Sequence, residues 1–255
     1  MGDLLQVNGL TKKFGGVTAV NDVSFQIGEG EIVAVIGPNG AGKTTLFNMI
    51  SSYVQPTEGE VLFKGKKLTG RKIFDLAHLG ISRTFQNLQI FSNMTVLENV
   101  MMGTSVNLKT NVFSAGFRLP SVKRDEEYAY KAAYDVLTMM GMNDLLHEQA
   151  GQLSYGLQKK LEFARAIVYK PELIMLDEPM AGLNDAETNT MAGYISDLKE
   201  KGHSFLFVEH KMATIMQLAD RIVVLDFGTK IAEGTPDEIQ KNEKVISAYL
   251  GEEVI

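Results

Sequence analysis

Gly37-Pro38-Asn39-Gly40-Ala41-Gly42-Lys43-Thr44-Thr45 has two glycines separated by four residues and followed by lysine and a hydroxyl residue, the spacing of a phosphate-binding loop. The run Glu31-Ile32-Val33-Ala34-Val35-Ile36 before it is β-branched and apolar, as a buried strand is, and Leu46-Phe47-Asn48-Met49-Ile50 after it begins a helical apolar pattern. The loop is therefore predicted at a strand-to-helix turn. Glycines there let backbone N–H groups close on phosphate oxygens, and the helix start adds unpaired donors and partial positive charge. In this context Lys43 reaches the terminal phosphates of a nucleotide, and the Thr44 hydroxyl is a ligand for Mg²⁺.

Composition narrows the class. The chain has 255 residues, 45% of them apolar and 22% charged, as in an ordinary globular domain. Its net charge of -6 argues against a nucleic-acid backbone as the main partner. Cysteine is absent, which excludes disulfides and Cys-based metal sites. No window supplies the roughly 20 apolar residues of a membrane span, and Met1-Gly2-Asp3-Leu4-Leu5 lacks the basic-then-apolar start of a leader. Membrane contact is expected only through a partner.

Outward from the loop, Leu5-Gln6-Val7 and Val23-Ser24-Phe25-Gln26-Ile27 alternate as half-buried antiparallel strands, with Lys12 to Gly16 as the loop between them. From spacing Phe14 reads as core, the other use of such a ring being to stack on a base. Gly59 to Phe63 reads as a further strand. From Asn87 to Val168 helical periodicity takes over, with breakers concentrated between Gly103 and Pro120. Thr95 and Glu98 have capping-box spacing, and Tyr128, Ala132, Val136 and Met140 place apolar groups on one helix face. Met139, Met140 and Met142 read as core filler. Leu173-Ile174-Met175-Leu176 and Ser204-Phe205-Leu206-Phe207-Val208 are buried parallel strands that end in Asp177-Glu178 and Glu209-His210. Thr235-Pro236-Asp237-Glu238 starts a late helix. The fold class is α/β.

Gln86, Leu153-Ser154-Tyr155-Gly156-Leu157-Gln158, Leu176-Asp177-Glu178-Pro179 and His210 follow the phosphate loop in that order. With them almost the whole chain resembles the ATP-binding subunit of ABC transporters. Gly80-Ile81-Ser82-Arg83-Thr84-Phe85-Gln86, Met94 to Asn99 and Ala248-Tyr249-Leu250-Gly251-Glu252 narrow the resemblance to the ATPases of branched-chain amino-acid importers. The family's fold is a phosphate-loop cassette with a mixed-sheet nucleotide core, an antiparallel β subdomain and an inserted helical subdomain. That implies a single cassette, with nucleotide core 1–86 and 169–255 and helical subdomain 87–168.

The resemblance also implies ATP and Mg²⁺ as cofactors, with the nucleotide on Phe14, Gly37, Pro38, Asn39, Gly40, Ala41, Gly42, Lys43, Thr44 and Thr45. Phe14 becomes the adenine-stacking ring. Thr44, Gln86 and Asp177 are the implied Mg²⁺ residues, Glu178 polarises the attacking water, His210 orients water and γ-phosphate, and Gln86 reports nucleotide state. Ser154 and Gly156 serve the ATP of the opposite subunit, although Tyr155 and Leu157 depart from the usual Leu-Ser-Gly-Gly-Gln. Asn184, with Glu187 three residues on, has a cap's spacing and is not expected to be catalytic. The implied partners are integral membrane permease subunits, a second and non-identical ATP-binding subunit and, indirectly, an extracytoplasmic solute-binding protein, with the chain on the cytoplasmic face of the membrane. Urea or amide importers and lipopolysaccharide-type exporters share the general motifs. A soluble ABC ATPase of repair or translation would need a long coiled coil or a second cassette, and neither is in this sequence.

Overall fold

The computed structural model describes residues 2–84, 88–108 and 120–250. Two sheets organise it. β1 (Asp3–Phe14) and β2 (Val17–Gly28) form a long antiparallel hairpin, extended by β4 (Glu58–Phe63) and β5 (Lys66–Lys67) into a sheet of order β2-β1-β4-β5. The second sheet contains β3 (Ile32–Ile36), β6 (Ile81–Arg83), β7 (Leu173–Asp177), β8 (Ser204–Val208), β9 (Arg221–Asp226) and β10 (Thr229–Gly234), in the order β10-β9-β3-β8-β7-β6. Its strands pair parallel except β10, which returns antiparallel beside β9 through a tight turn. The mixed sheet beside an antiparallel one is the α/β architecture expected.

Strand period explains how one sheet supports two cores. Val33 and Val35 face the antiparallel sheet and α1 (Lys43–Ile50), where they meet Leu46, Phe47, Leu206 and Val208. Ile32, Ala34 and Ile36 point the opposite way, into a cluster with Ile174, Leu176, Phe205 and Phe207. All five residues of β3, β7 and β8 are buried, which is why these strands read as continuous apolar runs.

α2 (Ile73–His78) precedes β6. Between β6 and β7 lie α3 (Val96–Gly103), α4 (Pro120–Met139) and α5 (Tyr155–Ile167), packed on one another. Thr95 caps α3 as its spacing predicted, its Oγ1 accepting from Glu98 N at 3.2 Å while the Glu98 carboxylate accepts from Thr95 N at 2.8 Å. α6 (Asp185–Glu200), α7 (Met212–Leu218), α8 (Pro236–Gln240) and α9 (Glu243–Leu250) complete the chain. Thr235 caps α8 and Pro236 occupies its first turn, as the sequence implied.

Three local expectations are corrected. Lys12, Lys13 and Phe14 continue β1 rather than forming a loop, since Lys13 pairs with Thr18 and Phe14 with Val17, leaving only Gly15-Gly16 to turn the chain. Phe14 at that hairpin end is 52% exposed with the Lys12 ammonium 5.1 Å from its ring, so it is not core. On α4 the buried line is Ala129, Ala133 and Leu137, one position round from the predicted face. Tyr128 is exposed and Ala132 and Val136 are half-buried, a shift whose cause lies in the partners: α3 and α5 pack on α4 at an angle that periodicity alone does not specify. Met140 and Met142 are fully buried and Met139 half-buried. Residues 109–119, in the breaker-rich stretch between Gly103 and Pro120, lie outside the described residues.

Candidate functional site

The phosphate loop leaves β3 at Gly37 and enters α1 at Lys43, so its neighbours are the carboxyl ends of β8 and β9. Tight packing explains two of its glycines. A Cβ on Gly37 would collide with the Leu225 carbonyl, and one on Gly42, whose φ is 97°, would meet the Ala19 carbonyl at 2.5 Å. Gly40, at φ 77°, has open space and only the backbone requirement. Pro38 and Ala41 are buried, Asn39 and Thr44 are exposed, and Thr45 is half-buried. Lys43 is 7% exposed and its Nζ donates to the carbonyls of Gly37 at 2.6 Å and Pro38 at 2.8 Å, which folds the loop around its own cation.

Asp177 ends β7 opposite Val208, the last residue of β8. The chain then turns at Glu178, a non-glycine residue at φ 49° whose N–H donates to the Val208 carbonyl at 2.9 Å. The same strand end delivers His210, and His210 Nε2 lies 2.9 Å from Glu178 Oε1. Acid and imidazole thus meet because adjacent parallel strands stop level with one another.

Two groups that sequence reasoning gave no role hold these residues in place. Glu209 is 4% exposed; its Oε1 accepts from Met180 N at 2.8 Å and its Oε2 from His210 N at 2.8 Å. One buried carboxylate therefore ties the Glu178 turn to the His210 turn. Arg83, at the end of β6, reaches 3.7 Å from Asp177, donates to Asn48 Oδ1 at 2.6 Å and to Ser51 Oγ, and lies against the rings of Phe47 and Tyr53. It links the phosphate-loop helix to the strand carrying Asp177. Burial is the main influence on this pair: it raises the Asp177 pKa, which Arg83 opposes and Glu178 reinforces, and it lowers that of Arg83, which Asp177 opposes.

Ser154 and Gly156 belong to a second cluster. Ser154 caps α5, its Oγ accepting from Leu157 N at 3.4 Å, and the Tyr155 hydroxyl donates to the Ala181 carbonyl at 3.4 Å. Gly156 has no room for a side chain because Glu187 occupies that space, held there by the capping box it forms with Asn184. The segment thus rests on residues 181–187 of its own chain. Gln86 lies outside the described residues, as do Phe85 and Asn87; Thr84 before them is fixed by an N–H bond to the Met175 carbonyl at 2.9 Å.

The model of the ABC transporter family matches residues 20–181, and that of the branched-chain amino acid ATP-binding cassette transporter matches residues 229–255. The high-affinity branched-chain amino acid transport ATP-binding protein LivG of Salmonella typhimurium is 44% identical over 250 residues, covering 98% of this chain and 98% of that protein. BraF of Pseudomonas aeruginosa, with the same description, is 41% identical with the same coverage. Among solved structures, a nucleotide-free ATP-binding cassette from an ABC transporter superposes with TM-score 0.84 at 32% identity, over 97% of this chain and 99% of that one. An ATP-binding cassette of an ABC transporter in its ADP conformation gives 0.85 at 32% identity, over 98% and 100%.

Proposed function

We infer that this chain, which belongs to the ABC transporter family of ATP-binding cassettes, is the ATP-hydrolysing subunit of an importer of branched-chain amino acids. The 2.9 Å contact between Glu178 and His210, beside the phosphate loop, carries the mechanistic reading. Lys43 and the amides of residues 37–45 bind the phosphates of ATP, and Phe14 on its exposed hairpin end stacks on the base. Glu178 takes a proton from the attacking water, while His210 fixes the carboxylate and the γ-phosphate. Gln86 reports on the nucleotide from the segment after β6.

The oxygen donors fit Mg²⁺. Among the described residues no three acidic or imidazole side chains gather into a cage, and Mg²⁺ in phosphate sites is held by one or two protein oxygens and the substrate. Thr44, Asp177 and Gln86 would hold the ion, which supplies charge neutralisation at the phosphates. Asp177 is then offered a cation in addition to Arg83, and burial that costs the free carboxylate favours that binding.

Ser154 and Gly156 complete the ATP site of a second, non-identical cassette in a head-to-tail pair. Helices α3, α4 and α5 move as a unit against the rest of the cassette and transmit closure to the permease subunits, which receive solute from an extracytoplasmic binding protein. No helix among the described residues is long and apolar enough to cross a membrane, which supports peripheral attachment, here at the cytoplasmic face. A cavity of about 550 Å³ between α2, α3 and α5, lined by Ile73, Ile90, Phe91, Met102, Arg165 and Tyr169, suits a short amphipathic helix of the permease. Met140 and Met142 are buried elsewhere, so the methionine-rich stretch contributes no docking surface there.

The test is Glu178→Gln in the assembled transporter. ATP affinity should stay within about twofold and turnover should fall by roughly a hundredfold or more, the usual contribution of a positioned base. Near-normal hydrolysis would place the base elsewhere.

A further inference from the structure

A second cavity, of about 660 Å³, opens on the seam where α4 meets the ends of α5 and α6, and the Glu178–His210 site contributes nothing to it. Its floor is apolar: Ala132, Val136 and Met139 from α4, Ile167 from α5 and Leu198 from α6. Its rim is cationic, because Lys131, Lys170 and Lys201 border it together with His203.

The charges at this rim are unbalanced. Across the described residues none of the three lysines forms an ion pair, and the Lys201 ammonium has only the weakly accepting Met139 sulfur at 3.6 Å. Asp135 is the single acid at the rim; it stands one turn from Lys131 on the same helix without pairing with it. His203 donates Nδ1–H to the Pro171 carbonyl at 2.6 Å, which leaves Nε2 to serve the cavity. Three ammonium groups against one carboxylate, in a chain whose net charge is -6, is a local reversal of sign. An apolar floor under such a rim complements a molecule with an anionic head and an aliphatic body.

We propose that this seam cavity binds a soluble aliphatic carboxylate and thereby couples its concentration to ATP turnover. The carboxylate meets Lys131, Lys170 and Lys201, and the alkyl body covers Val136, Met139 and Leu198. The walls come from different parts of the fold: α4 and α5 belong to the helices inserted between β6 and β7, whereas Leu198, Lys201 and His203 belong to α6 and the turn leading into β8. A ligand touching both joins them, so it biases any motion of the inserted helices against the nucleotide sheet.

Calorimetric titration of the full chain with hexanoate, octanoate and decanoate below their micellar concentrations tests this. Affinity should rise about threefold to fourfold per added methylene until the floor is covered. Octylammonium, with the same body and opposite head, should bind at least about tenfold more weakly than octanoate. The triple variant Lys131→Gln, Lys170→Gln, Lys201→Gln replaces exposed side chains, so it should fold, bind ATP normally and lose roughly tenfold or more in octanoate affinity. In the assembled transporter octanoate should change ATP turnover of the wild type and leave that of the triple variant unaltered. Absence of octanoate binding, equal affinity for octylammonium, unchanged affinity in the triple variant or an equal turnover response in both proteins would overturn the proposal.

Discussion

Arg83 shows how one side chain can serve stability and chemistry together. It spans from the helix behind the phosphate loop to Asp177, and both charges are largely removed from water. Arg83→Met keeps the stem against Phe47 and Tyr53 and deletes the charge, which should cost about 3–5 kcal/mol, since breaking a buried pair leaves the other ion uncompensated. The pH dependence follows from Asp177, whose pKa is already raised by burial and loses its main opposing charge in the variant. A carboxyl raised in the folded state adds stability below its unfolded pKa of about 3.9 and loses it as pH climbs through the folded value. The penalty of Arg83→Met should therefore be smaller near pH 4 than near pH 8, the part left at pH 4 being the lost bonds to Asn48 and Ser51, measured by urea unfolding at both. An equal penalty at the two pH values would show that the pair is not coupled.

The strand ends around β3, β7 and β8 are the elements that make the proposed site. Their buried runs and terminal acids were legible in the sequence, because a strand covered on both faces is apolar throughout and polarity returns where it ends. The capping boxes at Thr95, Asn184 and Thr235 were equally legible, being written within four residues. The roles of Glu209 and Arg83 were not, because each depends on which strands become neighbours: Glu209 reaches Met180 across 29 positions, and Arg83 reaches Asn48 across 35. Phe14 misled for a related reason, since the two glycines beside it suggested a loop where the hairpin carries the ring outward. Glu209→Ala tests the element level. It frees the Met180 and His210 amides, so ATPase should fall roughly tenfold while ATP affinity of the isolated chain stays within about twofold. Loss of both would mean that Glu209 supports the whole fold.

For the molecule as a whole, the central sheet gives one face to the phosphate-loop helix and α2 and the other to α3, α4 and α5, and the cavity proposed for the permease contact lies where the two sides meet. With docking there as proposed, the sheet stands between nucleotide chemistry and the permease, and the 550 Å³ cavity is where displacement of the inserted helices would be felt. Phe91, 46% exposed beneath the Arg165 guanidinium at 5.3 Å, is the anchor we propose for that contact. A photo-crosslinker at Phe91 in the assembled transporter should label the permease, whereas one at Tyr53, 62% exposed, should not. Labelling from Tyr53 alone would move the docking surface.

The backbone at Glu178 has a consequence for how such a protein can be improved. A glutamate held at φ 49° pays a conformational penalty of roughly 1 kcal/mol that glycine would avoid, and asparagine would reduce. Variants ranked by heat resistance alone would accordingly gather glycine and asparagine at this position, and, with Glu178 as the proposed base, each would be a sturdier cassette that no longer turns over. In a library of this chain, position 178 should be where survival on heating and growth on imported solute pull in opposite directions, and sequencing the two selected pools side by side would reveal it.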